Sequence, residues 1–324
     1  MTKSRAMICA ALLAACACTA LAEPAYPDRP ITLVVGFPPG GGADAVARVV
    51  ALHMSRSLGQ PIVIENKPGA GTTIASNQVA RAKPDGYTLL LGSVNLFGSD
   101  QILYKNATYD GKDSFTPITR WTTSPLLIVV RDTLDARTPQ QMTAQALANP
   151  GKLTYSSSGA GVMTHLAAAS FSSASHVKML HVPFKGGAPS VQAVAAGDVD
   201  LTFATPPSAM PLAHSGKVRL LGVTTAQRSP LFPDLPGMQE SGVEGYDFSV
   251  WWGLFGPSNL PEAVVQKLFA ASAEALADPE VIKNLKTQGN QAAPSASPKE
   301  FAEWAAKSGA AYAQVTKDAG VSAR

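Results

Sequence analysis

The chain has 324 residues, a formal charge of +3, 46% hydrophobic and 15% charged residues. Without Lys3 and Arg5 the charge falls to +1, which argues against nucleic acid or an acidic membrane surface as partner. A length of this order accommodates two domains of ordinary size. No low-complexity tract or solenoid repeat breaks the pattern.

The first segment reads as a leader. Lys3 and Arg5 form a positive region, Met7 to Ala15 an apolar one, and Ala20-Leu21-Ala22 a small-x-small cleavage site. Residues 1–22 are therefore expected to be a signal peptide, leaving 302 of the 324 residues and a periplasmic, soluble product. A competing reading is a lipoprotein signal acylated at Cys16. All three cysteines (Cys9, Cys16 and Cys18) lie in this leader, so cleavage after Ala22 leaves neither disulfide nor thiolate.

From residue 31 strand and helix patterns alternate. Ile31 to Val35 is a β-branched apolar run ended by Gly36 to Gly42. Asp44 to Leu58 follows with Val46, Val49, Val50 and Met54 at helical spacing. Pro61 to Ile64 is a strand, Gly71 to Ala82 helical, and Tyr87 to Leu91 a strand after the Pro84-Asp85-Gly86 turn. Thr138-Pro139-Gln140-Gln141 starts a helix, and strands follow at Leu153 to Ser156, Lys178 to Val182, Val199 to Phe203 and Val218 to Thr224. Three helices with Pro in the first turn close the chain, the last opened by the capping box Ser297-Pro298-Lys299-Glu300. Buried strands joined by helices predict an α/β fold of two lobes, each a mainly parallel sheet flanked by helices. Lobe 1 is expected to be discontinuous, 23–122 with 248–324, and lobe 2 to be 123–247. The crossings fall near Trp121 to Ser124 and near Tyr246 to Trp251.

The chemistry is expected where strands end. Phe37-Pro38-Pro39-Gly40-Gly41-Gly42-Ala43-Asp44 joins the first strand to the first helix. Its glycines leave backbone N–H groups uncovered at the positive end of the helix, an anion site without Lys or Arg. A bulky residue at Gly41 is expected to abolish binding. A bare strand–helix turn is the alternative reading. In the second lobe Ser158, Gly159, Ala160 and Gly161 again end a strand and open a helix, with His165 one turn in, where a capping or core role competes with a ligand role. Ser93, Asn95 and Thr205 follow other strands at their carboxyl ends, and Lys185 sits in a Gly-flanked turn that reads equally as solvated surface. No nucleophile elbow, P-loop ending or metal spacing among His53, His165, His176, His181 and His214 is present, so neither catalysis nor a cofactor or metal is expected. A dinucleotide-type enzyme is the rival, but Gly40-Gly41-Gly42 lacks the required glycine spacing.

Several stretches together resemble the Bug-type solute-binding proteins of tripartite tricarboxylate transporters: Tyr26 to Ile31, Val35 to Asp44 with Arg48, and Glu65 to Gly71. Lys83 to Leu90, His181 to Gly186, Gly197 to Asp200 and Arg228 to Pro236 match as well. The resemblance implies a Venus-flytrap fold of the type II periplasmic-binding-protein class. It also implies capture of a small carboxylate for membrane permease subunits, with the carboxylate held by the loops at Phe37 to Asp44 and Ser156 to Gly161. A periplasmic sensor delivering its ligand to a receptor kinase shares these features. A monomer is expected. The sequence departs from the family pattern at Ala204-Thr205, where a polar or acidic residue is common, and at Thr72-Thr73, where a Gly-rich continuation is common.

Overall fold

The computed structural model describes residues 26–318 and 320–321; the leader features at Lys3, Arg5, Met7 to Ala15, Cys16 and Ala20 to Ala22 lie outside the described residues. In chain order the elements begin with β1 (Ile31–Val35), α1 (Gly42–Leu58), β2 (Ile62–Asn66), α2 (Thr73–Ala80), β3 (Thr88–Gly92) and α3 (Ser99–Leu103). β4 (Phe115–Pro125) and β5 (Leu127–Arg131) follow almost without a break. Then come α4 (Pro139–Ala148), β6 (Thr154–Ser157), α5 (Met163–Ala174), β7 (Leu180–Pro183), α6 (Gly187–Ala196), β8 (Leu201–Ala204), α7 (Pro206–His214) and β9 (Val218–Val223). β10 (Ser249–Pro257), α8 (Glu262–Ala277), α9 (Pro279–Thr287), β11 (Gln291–Ala292) and α10 (Pro298–Asp318) complete the chain.

Two sheets result. One has the order β11-β4-β10-β3-β1-β2 and the other β7-β6-β8-β5-β9. β2, β1 and β3 run parallel, as βαβ crossovers require, but β10 inserts antiparallel between β3 and β4. In the second sheet β6 pairs parallel with β7 and β8, while β5 is antiparallel to both β8 and β9. Both sheets are therefore mixed; β10 and β5, the reversed strands inside them, each adjoin a passage of the chain between the sheets, while the short reversed β11 lies at an edge. The chain passes from the first sheet to the second between Pro125 and Leu127 and returns between Val223 and Ser249. Thr224 clasps both passages: its hydroxyl accepts from the Leu126 N–H at 2.8 Å and donates to the Phe248 carbonyl at 2.7 Å.

β1, with Ile31, Leu33, Val34 and Val35 buried, packs under α1, β4 packs against α8 and α10, and Phe255 of β10 meets Phe301 of α10 with ring centroids 5.1 Å apart. Trp121 is fully buried and donates its indole N–H to Ser272 Oγ at 3.2 Å, so this large ring leaves no orphan polar atom in the core. The helix starts follow local chemistry. Thr138 Oγ1 accepts from Gln141 N–H, and Ser297 Oγ from Glu300 N–H. The returning side chains of Gln141 and Glu300 reach one residue beyond the cap, to the N–H groups of Arg137 and Ala296.

Candidate functional site between the lobes

The loop after β1 divides its three glycines by task. Gly40 has φ +81°, a left-handed conformation that disfavours any side chain. Gly42 begins α1, and a Cβ there would lie 2.9 Å from Thr205 Cβ of the opposite lobe. Gly41 is an extended N-cap (φ −88°, ψ 176°) whose nearest neighbour to an added Cβ is the Pro38 carbonyl at 3.7 Å. Bulk is thus resisted at Gly42 and not at Gly41. The reason is that the two lobes touch at the first helical residue, one position beyond the cap.

Asp44, in the first turn of α1, organises this loop. Its carboxylate accepts from the Gly40 N–H at 3.0 Å, from Arg48 through Nε and Nη2 at 2.9 Å each, and from Asn66 Nδ2 at 3.0 Å. Burial acts to raise the Asp44 pKa, but the hydrogen bonds from Arg48, Gly40 and Asn66 outweigh it and hold the carboxyl below its usual range. Gly40 N–H is therefore spent on the protein's own carboxylate. Among the described residues the N–H groups of Gly41, Gly42 and Ala43 have no hydrogen-bond acceptor, as expected of an uncapped helix N-terminus.

The facing loop is knitted to itself. Ser158 N–H donates to Thr164 Oγ1 at 2.9 Å, and Gly161 N–H donates to His165 Nδ1 at 2.9 Å. The His165 ring stacks on His181 with centroids 3.8 Å apart, and His181 Nε2 shares a hydrogen bond with Ser157 Oγ at 2.7 Å. His165 therefore braces the loop from behind.

Between these loops lies a cavity of about 500 Å³, within the range of small-molecule sites. Its walls come from residues 36–38, 68–72 and Tyr104 on one side, and from residues 158–160, Val162 and residues 183–186 on the other. A second space of about 20 Å³, the size of one water and smaller than a carboxylate, adjoins it through Phe37 and Ser158. Gly41, Gly42, Ala43 and Thr205 border this smaller space, with Trp252 beneath.

The residues singled out in sequence thus separate. Phe37, Ser158, Gly159, Ala160 and Lys185 meet at the larger cavity, and Gly41, Gly42, Ala43 and Thr205 at the smaller. Pro39 and Gly40 are exposed on the outside of their loop. Asp44, Gly161 and His165 are buried behind the walls. Ser93 and Asn95 are buried too: Ser93 Oγ donates to Asn95 Oδ1, and Asn95 Nδ2 reaches Ser99 Oγ at 3.0 Å and, across the lobes, the Gly161 carbonyl at 3.3 Å.

Two wall elements had no place among the expected site residues. The loop at 68–72 carries four successive positive φ angles, at Gly69, Ala70, Gly71 and Thr72, the last at 90° on a β-branched residue. Strain of this kind persists only where surrounding contacts impose it. Here an added Cβ on Gly36 would come within 2.8 Å of Thr72 Cβ, and Thr72 Oγ1 donates to Asp100 at 3.3 Å. The departure at Thr72-Thr73 was the available signal. Tyr104, whose hydroxyl donates to the Ala160 carbonyl, stands at the end of α3 and carried none. Asp100 itself is wholly buried. Burial pushes its pKa up to about 7 against the hydrogen bonds from Tyr109 and Thr72, and its Oδ1 has no partner among the described residues.

Among the described residues no helix is long and apolar enough to cross a membrane, and no cluster of three or more His, Cys, Asp or Glu could hold a metal ion.

Residues 46–319 match the family model for the tripartite tricarboxylate transporter family receptor. The chain is 39% identical over 266 residues to the UPF0065 protein in the tcbD-tcbE intergenic region of Pseudomonas sp. (strain P51), covering 82% of this chain and 79% of the relative. Its fold matches the periplasmic binding protein BugD at 35% identity, covering 92% of this chain and all of BugD with a TM-score of 0.86. It also matches Rpa4515 of R. palustris, solved with adipate, at 32% identity and a TM-score of 0.88, covering 92% of this chain and all of that one. The two-lobed architecture expected from the sequence is the one these proteins share.

Proposed function

Since the chain belongs to the tripartite tricarboxylate transporter receptor family, we propose that it is an extracytoplasmic receptor that captures a small carboxylate between its lobes and delivers it to the transporter's membrane subunits. The observation that carries this reading is the cavity of about 500 Å³ walled by strand-end loops of both lobes, beside an uncapped helix start. In this reading the first lobe is built on the sheet of β1 to β4, β10 and β11 and the second on that of β5 to β9, so the outgoing crossing falls at Leu126, a few residues later than the expected boundary at 122/123.

The binding residues are Phe37, Gly41, Gly42, Ala43, Ser158, Gly159, Ala160 and Thr205, with the wall at 68–72 and Tyr104, while Lys185 stands solvated at the rim. A carboxylate in the cavity meets the positive end of α1 and the N–H groups of Gly41 to Ala43, directly after a small opening or through a bridging water. The donors of the second lobe are added on closure, and the ligand favours the closed state by the contacts that only this state offers. Titration calorimetry of the purified chain against a panel of carboxylic acids and their amides tests the reading. Acids are expected to bind with saturable heat and the matching amides at least about tenfold more weakly. Equal affinity for acids and amides would contradict it.

A further inference from the structure

Resting on that reading, we infer that the preferred ligand is a monocarboxylate with an apolar body, and that second and third carboxylates are selected against. The cavity wall is chiefly apolar: Phe37, Phe184, Val162 and the rings of Pro38, Pro68 and Pro183 face it. Its polar side chains are already engaged within the protein. Thr72 Oγ1 donates to Asp100, the Tyr104 hydroxyl donates to the Ala160 carbonyl, and Ser158 Oγ shares a hydrogen bond with Thr164 Oγ1 at 2.8 Å.

Lys185 is the one charged side chain among the described wall residues, and it is exposed, so its ammonium stays solvated. One carboxylate has a destination, the helix start beyond Phe37 and Ser158. A second one carried into the apolar part would lose its water against side chains that are apolar or already hydrogen-bonded, whereas a methyl or methylene group there gains by burial. Hexanoate and adipate differ only in that distal group, and cyclohexanecarboxylate against citrate sets a bulkier apolar monocarboxylate against a polar tricarboxylate.

Titration calorimetry on the purified chain is expected to give hexanoate at least about thirtyfold tighter binding than adipate, and cyclohexanecarboxylate a similar margin over citrate. Lys185→Ala is expected to leave hexanoate affinity within about threefold, and Phe184→Ser to weaken it about tenfold with the melting temperature retained. Adipate or citrate binding as tightly as its partner acid overturns the inference while leaving the carboxylate receptor intact. A large loss of hexanoate affinity in Lys185→Ala overturns it too, by revealing a cation clamp. Binding of none of the four acids overturns the receptor reading and the inference with it.

Discussion

Asp44 and Asp100 are buried carboxyl groups whose surroundings push them in opposite directions. The usual value is 3.8 for both; Asp44 is lowered by Arg48, Gly40 and Asn66, whereas Asp100 is raised to about 7 by burial. For Asp44 the folded state prefers the carboxylate. Its contribution is present above pH 3.8 and is lost as pH falls through the lowered folded value. Asp44→Asn is therefore expected to destabilise the protein by about 1–2 kcal/mol at pH 7 through the lost charged hydrogen bonds. The gap to the parent protein should close at strongly acidic pH, as chemical denaturation would show. For Asp100 the folded state holds the proton that the unfolded chain releases between pH 3.8 and about 7, so its effect is a loss of stability as pH rises through that window. Asp100→Asn removes that term. Its melting temperature is expected to fall about 3 °C less than the parent's between pH 5 and pH 8; parallel profiles would show that Asp100 stays ionised.

At the scale of elements, what was legible in the sequence is what local chemistry determines. β1, β2 and β3, the N-caps at Thr138 and Ser297, and the helix with Val46, Val50 and Met54 on its inner face are each specified within a few residues of themselves. β4, β5 and β11 were not legible as strands. β4 interleaves buried Thr119, Thr122 and Ser124 with its apolar positions, and it pairs with β10, more than 120 residues away (Pro125 with Ser249). Such pairing leaves no short-range signal, and the antiparallel insertion of β10 beside β4 is also what makes the first sheet mixed, as β5 does for the second. The site divides in the same way. Loops that end strands could be found by rule, which located Phe37, Gly42, Ser158 and Thr205. Tyr104 and the strained turn at 68–72 enter the wall only through contacts across the fold, with Ala160 in one case and Gly36 in the other.

For the whole molecule the decisive contact is between lobes. Thr224 ties the two connecting passages at one end, and at the other the start of α1 meets the start of α7 where Gly42 touches Thr205. Gly42 has an ordinary negative φ, so alanine there strains nothing within its own lobe and should favour the helix by a few tenths of a kcal/mol up to about 1 kcal/mol. Its new methyl group, however, would lie 2.9 Å from Thr205 Cβ and hold the lobes apart. Stability and affinity are thus expected to move in opposite directions in Gly42→Ala, with an unchanged or higher melting temperature and ligand binding weakened about tenfold or more. Thr205 makes no side-chain cap bond to α7, so its removal costs that helix little. Adding Thr205→Gly to Gly42→Ala should restore most of the affinity. In small-angle scattering the ligand-bound single variant should keep a larger radius of gyration than the bound parent, with the double variant returning to the parent value. Tight binding by Gly42→Ala without rescue behaviour would mean that the ligand is held by one lobe alone, and that closure contributes nothing to capture.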